Sequence, residues 1–258
     1  MMKIVLNHAA GLIRLTLADR AVCLTAVGLV SGVLLIVMLY ALTSGAPAGD
    51  AIDNLHQLIG LSRDGSLAEL VNYGLAFLAS VLFFLSFIET RSMILLFSSV
   101  FMGFVWLDDA GQYHEHFGRW LASYFELDAL PGLRAQDTGE ILAWSAAGLV
   151  LLVPLVFGLL FRRDGDLGIL ASVTVGVSLL VFCGFFVDFL HVVAPQSFDL
   201  FFEIVEDGGE MLAVTYLAIL ALSLSRNAIA YYDAVQFIES VDREETYEPS
   251  SMRGKDAS

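Results

Sequence analysis

Long apolar runs recur along the chain and set the first expectation about its fold. Four of these runs contain no charged residue: 21–49, 70–88, 141–161 and 167–187. A helix needs about 20 predominantly apolar residues to cross the hydrocarbon core of a bilayer. The four runs therefore predict four transmembrane helices.

Two further apolar runs are shorter and adjoin acidic residues. The run 92–107 is followed at once by Asp108 and Asp109, and the run 211–225 is preceded by a segment with four acids, Glu203, Glu206, Asp207 and Glu210. Either run can cross a bilayer only if its acidic flank lies within the membrane or at its edge. These acids are therefore the first candidates for a functional site.

The whole pattern predicts an all-α, polytopic transmembrane bundle of six spans. We expect the spans near 21–42, 70–88, 92–114, 141–161, 167–190 and 200–225. Residues 1–241 would form this single domain, with amphipathic helices at both of its ends on the inner surface. Residues 242–258 are polar and charged and predict a disordered tail.

The positive charges predict how the bundle is oriented. Cytoplasmic segments of membrane proteins carry an excess of Lys and Arg. With the N terminus inside, the inner segments hold ten of the Lys and Arg residues, and the outer ones hold three, Arg63, Arg119 and Arg134. Both termini are therefore expected in the cytoplasm, in an inner (plasma) membrane of the bacterial type.

Composition narrows the functional classes. The chain is 57% hydrophobic and 16% charged, and its formal net charge is −15. Nucleic-acid binding is excluded because it requires a basic face. No predicted span contains a lysine, which excludes a retinal Schiff base. The expected partners are the lipid bilayer and a lipid-like small molecule, and the oligomeric state stays open.

Ionisable side chains collect at the outer ends of the third, fifth and sixth predicted spans. At 1.5 Å per residue, Asp108 lies about 24 Å above Ser92, in the outer part of the bilayer. The cluster has eight carboxylates: Asp108, Asp109, Glu115, Asp188, Glu203, Glu206, Asp207 and Glu210. Arg119 is the nearby fixed cation. Such a cluster requires protonation, a bound metal cation or a water-filled site. In the competing interpretation, each acidic segment is a solvated helix end.

The residue types in this cluster favour a transition metal. Imidazole together with carboxylate suits zinc, iron or manganese. The candidate ligands are Asp108, His114, His116, Asp188, His191, Glu206 and Glu210, and Glu115 and Glu203 are the candidate proton shuttles. The pair Asp188-x-x-His191 resembles half of the Glu-x-x-His motif of di-iron carboxylate proteins, with Asp in place of Glu.

Three functions fit this pattern. The first is a metal-dependent hydrolase that cleaves a lipid-like amide or ester at a site facing outward. The second is a transporter or channel for protons or divalent cations, and the third is a metal-stabilised scaffold without catalytic activity. The inner halves of the spans hold almost no ionisable residue apart from Glu89 and Arg91, which favours a site at one face only. The sequence leaves open whether the chain is an enzyme.

Overall fold

The computed structural model describes residues 2–44, 49–61, 63, 65–128 and 134–246, and every regular element within them is helical. The ten α-helices are α1 Met2–Ala18, α2 Arg20–Ser44, α3 Asp50–Ile59, α4 Leu67–Thr90, α5 Met93–Gly111, α6 Tyr113–Tyr124, α7 Ala135–Leu160, α8 Asp166–Val181, α9 Asp188–Val193 and α10 Asp199–Thr246. A π-helical segment, Phe182–Val187, joins α8 to α9, and a short 3₁₀ turn, Gln196–Phe198, precedes α10.

Six of these helical stretches are long and apolar enough to cross a membrane: α2, α4, α5, α7, α8 together with α9, and α10. Large apolar side chains remain exposed along them, among them Leu24, Leu149 and Val150. An apolar surface of this extent belongs in contact with lipid. The prediction of an all-α fold with six helices long and apolar enough to span a membrane is therefore confirmed, and these helices indicate an integral membrane protein.

The centre of the bundle is formed by α4, α5 and α10. Phe83, Leu95 and Leu217, one from each of these helices, are completely buried in one apolar cluster. By contrast, α7 packs on α5 and α6 and makes no extensive contact with α8, α9 or α10 among the described residues. The side of the bundle between α7 and α8 to α10 therefore has few helix–helix contacts among the described residues.

The two ends of the bundle differ. At one end α4, α7 and α10 begin and α2, α5 and α9 finish, and we call it the cavity end. At the opposite end, the α1 end, α1 packs on α8 and α10. There the Thr16 and Ser223 hydroxyls are 2.7 Å apart, and Arg226 Nε donates to Asp19 Oδ2 over 2.8 Å. The hydrogen bond from Arg226 lowers the pKa of Asp19 to about 2.

Several boundaries differ from the sequence-based expectation. The third span ends at Gly111, because Gln112 adopts a left-handed conformation with φ 48° and the chain turns there into α6. His114, Glu115 and His116 consequently lie on α6 and not on the third span. The fourth span begins at Ala135 rather than at 141, so that part of the expected outer loop is helical.

The sixth span and the helix expected after it form one continuous helix, α10, which continues to Thr246. The predicted tail therefore overlaps the end of α10 at 242–246. Its remaining residues, 247–258, lie outside the described part of the chain.

Candidate functional site

A polar cavity of about 650 Å³ lies at the cavity end, between α4, α5, α6, α7, α9 and α10. Its volume is that of a typical small-molecule site. Nine carboxylates line it: Glu69, Asp109, Glu115, Asp137, Glu140, Asp188, Glu206, Asp207 and Glu210. Arg134 and His114 are its basic lining residues. The cavity therefore has a large excess of negative groups.

Several of these acids already have partners. Arg134 binds Asp137 through Nε at 3.0 Å and Nη2 at 2.7 Å, and Arg119 donates to Glu115 over 3.2 Å. Gln136 Nε2 donates to Glu140 over 2.7 Å. These contacts satisfy acids contributed by α6 and α7.

Other acids are not paired. Asp188, Asp207 and Glu210 form no hydrogen bond or ion pair with any residue that the structure describes. Asp109 is approached by Asn72 Nδ2 at 3.5 Å. Asp109, Asp207 and Glu210 are only partly exposed, and a carboxylate that is withdrawn from water without a counter-charge is costly. This part of the cavity requires protons, water or a bound cation.

The position of Glu210 depends on the π-helical segment. Glu210 lies directly against Gly184, where the absence of a side chain leaves room for the carboxylate. π-Helical turns within α-helices occur frequently at functional sites. Because residue 184 of this π-helical segment is glycine, backbone rather than a side chain lies beside Glu210.

Asp108, buried behind the cavity wall, pairs with His114, which lines the cavity. Asp108 is completely buried and does not line the cavity. Its Oδ1 accepts the backbone N–H of His114 over 2.9 Å, and its Oδ2 is 3.1 Å from His114 Nδ1. Burial lowers the pKa of His114, but the hydrogen bond and the charge of Asp108 outweigh it, so the pKa lies above its usual value. Asp108 thus orients an imidazole that lines the cavity.

His191 forms the second pair of a histidine with an acid. Its Nδ1 is 3.1 Å from Glu206 Oε2, and its Nε2 is 3.9 Å from Asp199 Oδ1. Glu206 lines the cavity, whereas His191 does not. The contact connects the end of α9 to the first turns of α10.

Two further predicted residues lie outside the cavity. His116 is exposed on α6, with Nδ1 2.9 Å from the Gln112 carbonyl oxygen. Glu203 accepts a hydrogen bond of 2.5 Å from the Tyr40 hydroxyl. Of the two predicted proton shuttles, Glu115 therefore lines the cavity and Glu203 does not.

The predicted metal ligands do not form a compact set. Within the described ranges, no three side chains of His, Cys, Asp or Glu are placed so that they could hold one metal ion. Asp108 with His114 and His191 with Glu206 form separate pairs, and His116 lies apart from both. The residues as arranged thus do not fit a preformed zinc, iron or manganese centre.

Sequence reasoning missed the contributions of α4 and α7. Glu69, Asn72 and Tyr73 line the cavity from the start of α4, and Gln136, Asp137 and Glu140 do so from the start of α7. In both helices the polar residues are spaced i, i+3 or i+4, which places them on one helical face. This spacing, at the same end of the bundle as the predicted cluster, is the sequence signal that could have identified these cavity residues.

A second buried polar cluster lies at the α1 end. Asp166 is completely buried and accepts hydrogen bonds from Ser92 Oγ at 2.8 Å, Tyr232 OH at 2.5 Å and the Arg163 N–H at 2.7 Å. The Arg163 side chain donates to the Thr90 carbonyl and lies 4.8 Å from the centre of the Tyr232 ring. Through these hydrogen bonds, Asp166 joins the segment before α5 and the segment before α8 to the helix α10.

One family model matches the chain. It is described as a domain of unknown function, DUF8692, and matches residues 21–224, from the beginning of α2 into α10. No curated protein and no solved structure matches the chain.

Proposed function

We propose that this chain, which belongs to the DUF8692 family, binds cations in the cavity and moves them or protons across the membrane. The observation that carries the proposal is the set of partly buried acids Asp109, Asp207 and Glu210, of which Asp207 and Glu210 form no hydrogen bond or ion pair with a described residue. Ionisable groups within membrane spans commonly mark ion paths and proton relays. Bound cations would offset the cost of withdrawing these acids from water.

Polar groups continue from the cavity towards the α1 end and support transport. Thr215 follows Glu210 by about 7.5 Å along α10, and its buried hydroxyl has no hydrogen-bond partner among the described residues. Ser80 and Ser99 exchange hydrogen bonds of 2.9 Å with each other's carbonyl oxygens between α4 and α5. Asp166 is buried at the far end. Buried polar groups thus occur at both ends of the bundle.

The proposed orientation places the cavity at the outer face of a plasma membrane of the bacterial type. It rests on the ten Lys and Arg residues of the inner segments against three in the outer ones. The same arrangement would place the buried Asp166 cluster on the cytoplasmic side.

Flux into liposomes tests the proposal. Purified full-length protein is reconstituted, and entry of protons and of Mn²⁺ is followed with dyes enclosed in the liposomes. We expect flux above that of protein-free liposomes, reduced at least tenfold in Glu210→Gln and Asp207→Asn. Asp50→Asn, which changes an exposed acid on α3, should retain the wild-type rate. Flux that is absent, or equal in all variants, would refute the proposal.

The two histidine–acid pairs favour a second candidate, a metal-dependent hydrolase of a lipid-like amide or ester. Histidines that bind metals are commonly oriented by a carboxylate at their other ring nitrogen, as Asp108 orients His114. A metal would have to draw further ligands together, because no described group of three is preassembled. Elemental analysis of wild type, His191→Ala and Asp188→Ala tests this candidate. Stoichiometric metal with lipid turnover supports it, and metal without turnover indicates a scaffold.

A further inference from the structure

We infer that the cationic ligand of the cavity is an amphiphile, a long-chain amine whose ammonium group enters the cavity while its alkyl chain lies along α8. This inference rests on the proposed cation binding and names the class of ligand. Three independent features of the molecule lead to it: the hydrogen-bonding character of the cavity, its open side and an adjoining apolar surface.

The cavity needs a ligand that donates hydrogen bonds. Asn72 lines it and is 92% buried, and its Oδ1 has no hydrogen-bond partner among the described residues. Asp109, Asp207 and Glu210 add further acceptors around it. A primary ammonium group has three N–H donors and no acceptor. It therefore complements both the charge and the unmet acceptor of this wall.

The lining also disfavours an anionic ligand. Arg134 is the arginine of the cavity wall, and its guanidinium is already bound to Asp137 through two nitrogens. His114 is held by Asp108. The remaining lining charges are acids, so an anion would meet repulsion without a free arginine to bind it.

The size of the cavity and the spread of its acids disfavour a bare metal ion. The cavity encloses about 650 Å³, and its acids come from α4, α5, α6, α7, α9 and α10. Within the described part of the chain, no three of them converge on one point. A larger organic cation would fill more of this space. Its ammonium group would need to contact only some of the acids.

The cavity has an opening between α7 and α9. Since α7 packs on α5 and α6 and not extensively on α8 to α10, the wall between α7 and α9 is incomplete. Trp144 on one side of this opening and Phe185 and Phe189 on the other line the cavity and are all exposed. Aromatic rings at such an opening can pack on methylene groups and attract an ammonium group.

An apolar surface continues from this opening along the end of α8 and the π-helical segment. Val177, Val181, Phe182, Phe185 and Phe186 form it together with Ser178. Phe185 belongs to both this surface and the cavity. The apolar surface extends over ten residues, about 15 Å along the helix, away from the cavity end. An alkyl chain attached to an ammonium group in the cavity would follow this path.

Photocrosslinking tests the inference in the full-length protein. The protein is placed in phosphatidylcholine nanodiscs with a hexadecylamine that carries a diazirine in its chain, and crosslinked peptides are mapped by mass spectrometry. We expect crosslinks to be concentrated at 177–186. They should fall at least tenfold in Glu210→Gln and in Asn72→Leu, and persist in Asp50→Asn. A hexadecanoate with the diazirine at the same position is the matched control and should label this segment at least tenfold less.

Two comparisons separate head-group recognition from insertion of the chain alone. Excess dodecylamine should abolish the crosslinks, whereas dodecyltrimethylammonium, which has no N–H donor, should compete at least tenfold less well. Equal labelling by the amine and the carboxylate, or equal competition by both ammonium compounds, would overturn the inference. If Glu210→Gln does not fold, both of these comparisons can still be made in the wild-type protein, and they test the inference.

The failure of this inference can be distinguished from failure of the proposed function. If the amine does not label 177–186 but Mn²⁺ or proton flux still depends on Glu210, cation transport stands and the amphiphile is wrong. If neither labelling nor flux depends on Glu210, both fail.

Discussion

Gly184 lies so close to Glu210 that a methyl group in place of its hydrogen would overlap the Glu210 carboxylate oxygen Oε1. Gly184 belongs to the π-helical segment Phe182–Val187, and Glu210 faces it from α10. The carboxylate therefore lies against bare backbone. This contact fixes where one of the unpaired acids enters the cavity.

Gly184→Ala should weaken cation binding without unfolding the protein. The added methyl group forces the Glu210 carboxylate to move, since the overlapping atom is the end of a flexible side chain. We expect binding of Mn²⁺ or of a long-chain amine to fall about tenfold, which corresponds to about 1.4 kcal/mol. Titration of the nanodisc-embedded protein measures this change.

The matched control for this substitution is Gly74→Ala on α4. A Cβ at position 74 would meet no atom within 4 Å. Binding should stay within a factor of two of the wild-type value. Equal affinity in Gly184→Ala and Gly74→Ala would show that the position of Glu210 does not matter for binding.

Gly139→Ala should destabilise the protein through the crossing of α6 and α7. A Cβ at Gly139 would overlap the carbonyl group of Gly118, and this contact is between two backbones. Because neither backbone can rotate away, the helices must separate, and overpacking of this kind costs about 1–3 kcal/mol. The midpoint of thermal denaturation in detergent should fall accordingly. Gly148→Ala, in an open position of the same helix, should leave it unchanged or raise it.

Tyr232→Phe should destabilise the α1 end of the bundle. The substitution removes the hydroxyl that donates to the buried Asp166 carboxylate, and hydrogen bonds to charged groups contribute about 1.5–3 kcal/mol. The midpoint of denaturation should fall, while binding in the distant cavity should persist. Tyr124→Phe removes an exposed hydroxyl on α6 and should have no measurable effect. An equal fall in the denaturation midpoint of both variants would contradict the stabilising role of the Asp166 hydrogen bonds.

The spans could be predicted from the sequence because their signal is local. Each of the runs 21–49, 70–88, 141–161 and 167–187 is long enough on its own to identify a span, and a span must satisfy its own backbone hydrogen bonds in lipid. The boundaries were harder. The change of direction at Gln112 depends on one left-handed residue, which hydropathy does not reveal.

The acids of the candidate site were only partly predictable. Asp109, Asp188, Asp207 and Glu210 were expected at one level, and all four line the cavity. Their predicted companion Asp108 turns inward to His114 instead. Helical spacing gives the level of a side chain along the axis, but its direction depends on how neighbouring helices pack.

The spacing of polar residues in α4 and α7 gives their level, but their place in the cavity wall depends on tertiary contacts. Glu69 lies in the first turn of α4, where the helix dipole favours an acid whatever its function. The close crossing of Gly118 with Gly139 brings α7 beside α6 and places Glu140 in the cavity wall. Nothing in the spacing of the two glycines, 21 residues apart across a connection, indicates that they meet.

The pH dependence of stability should report on the Asp108–His114 pair. Because the folded pKa of His114 is raised above its ordinary value, its contribution is fully present below the unfolded pKa of about 6.5 and is lost as pH rises through the folded pKa. The stability difference between wild type and His114→Gln should therefore shrink between neutral and alkaline pH. Titration of ¹⁵N-labelled histidine should show the His114 pKa falling in Asp108→Asn. An unchanged pKa in that variant would mean that Asp108 does not hold the imidazolium.

Fluorescence of Trp120 should place α6 at the membrane interface. The rings of Tyr113, Phe117, Trp120 and Tyr124 stack in succession along this helix, with centroids 5.1–5.3 Å apart. Trp120 is 50% exposed, and Trp and Tyr are enriched where the bilayer meets water. With Trp106 and Trp144 replaced by Phe, lipids brominated close to the head group should quench the remaining fluorescence more strongly than lipids brominated near the chain ends. Efficient quenching by aqueous iodide, with little quenching by either lipid, would instead place α6 in water. The part of the cavity wall formed by α6 would then not lie at the membrane interface.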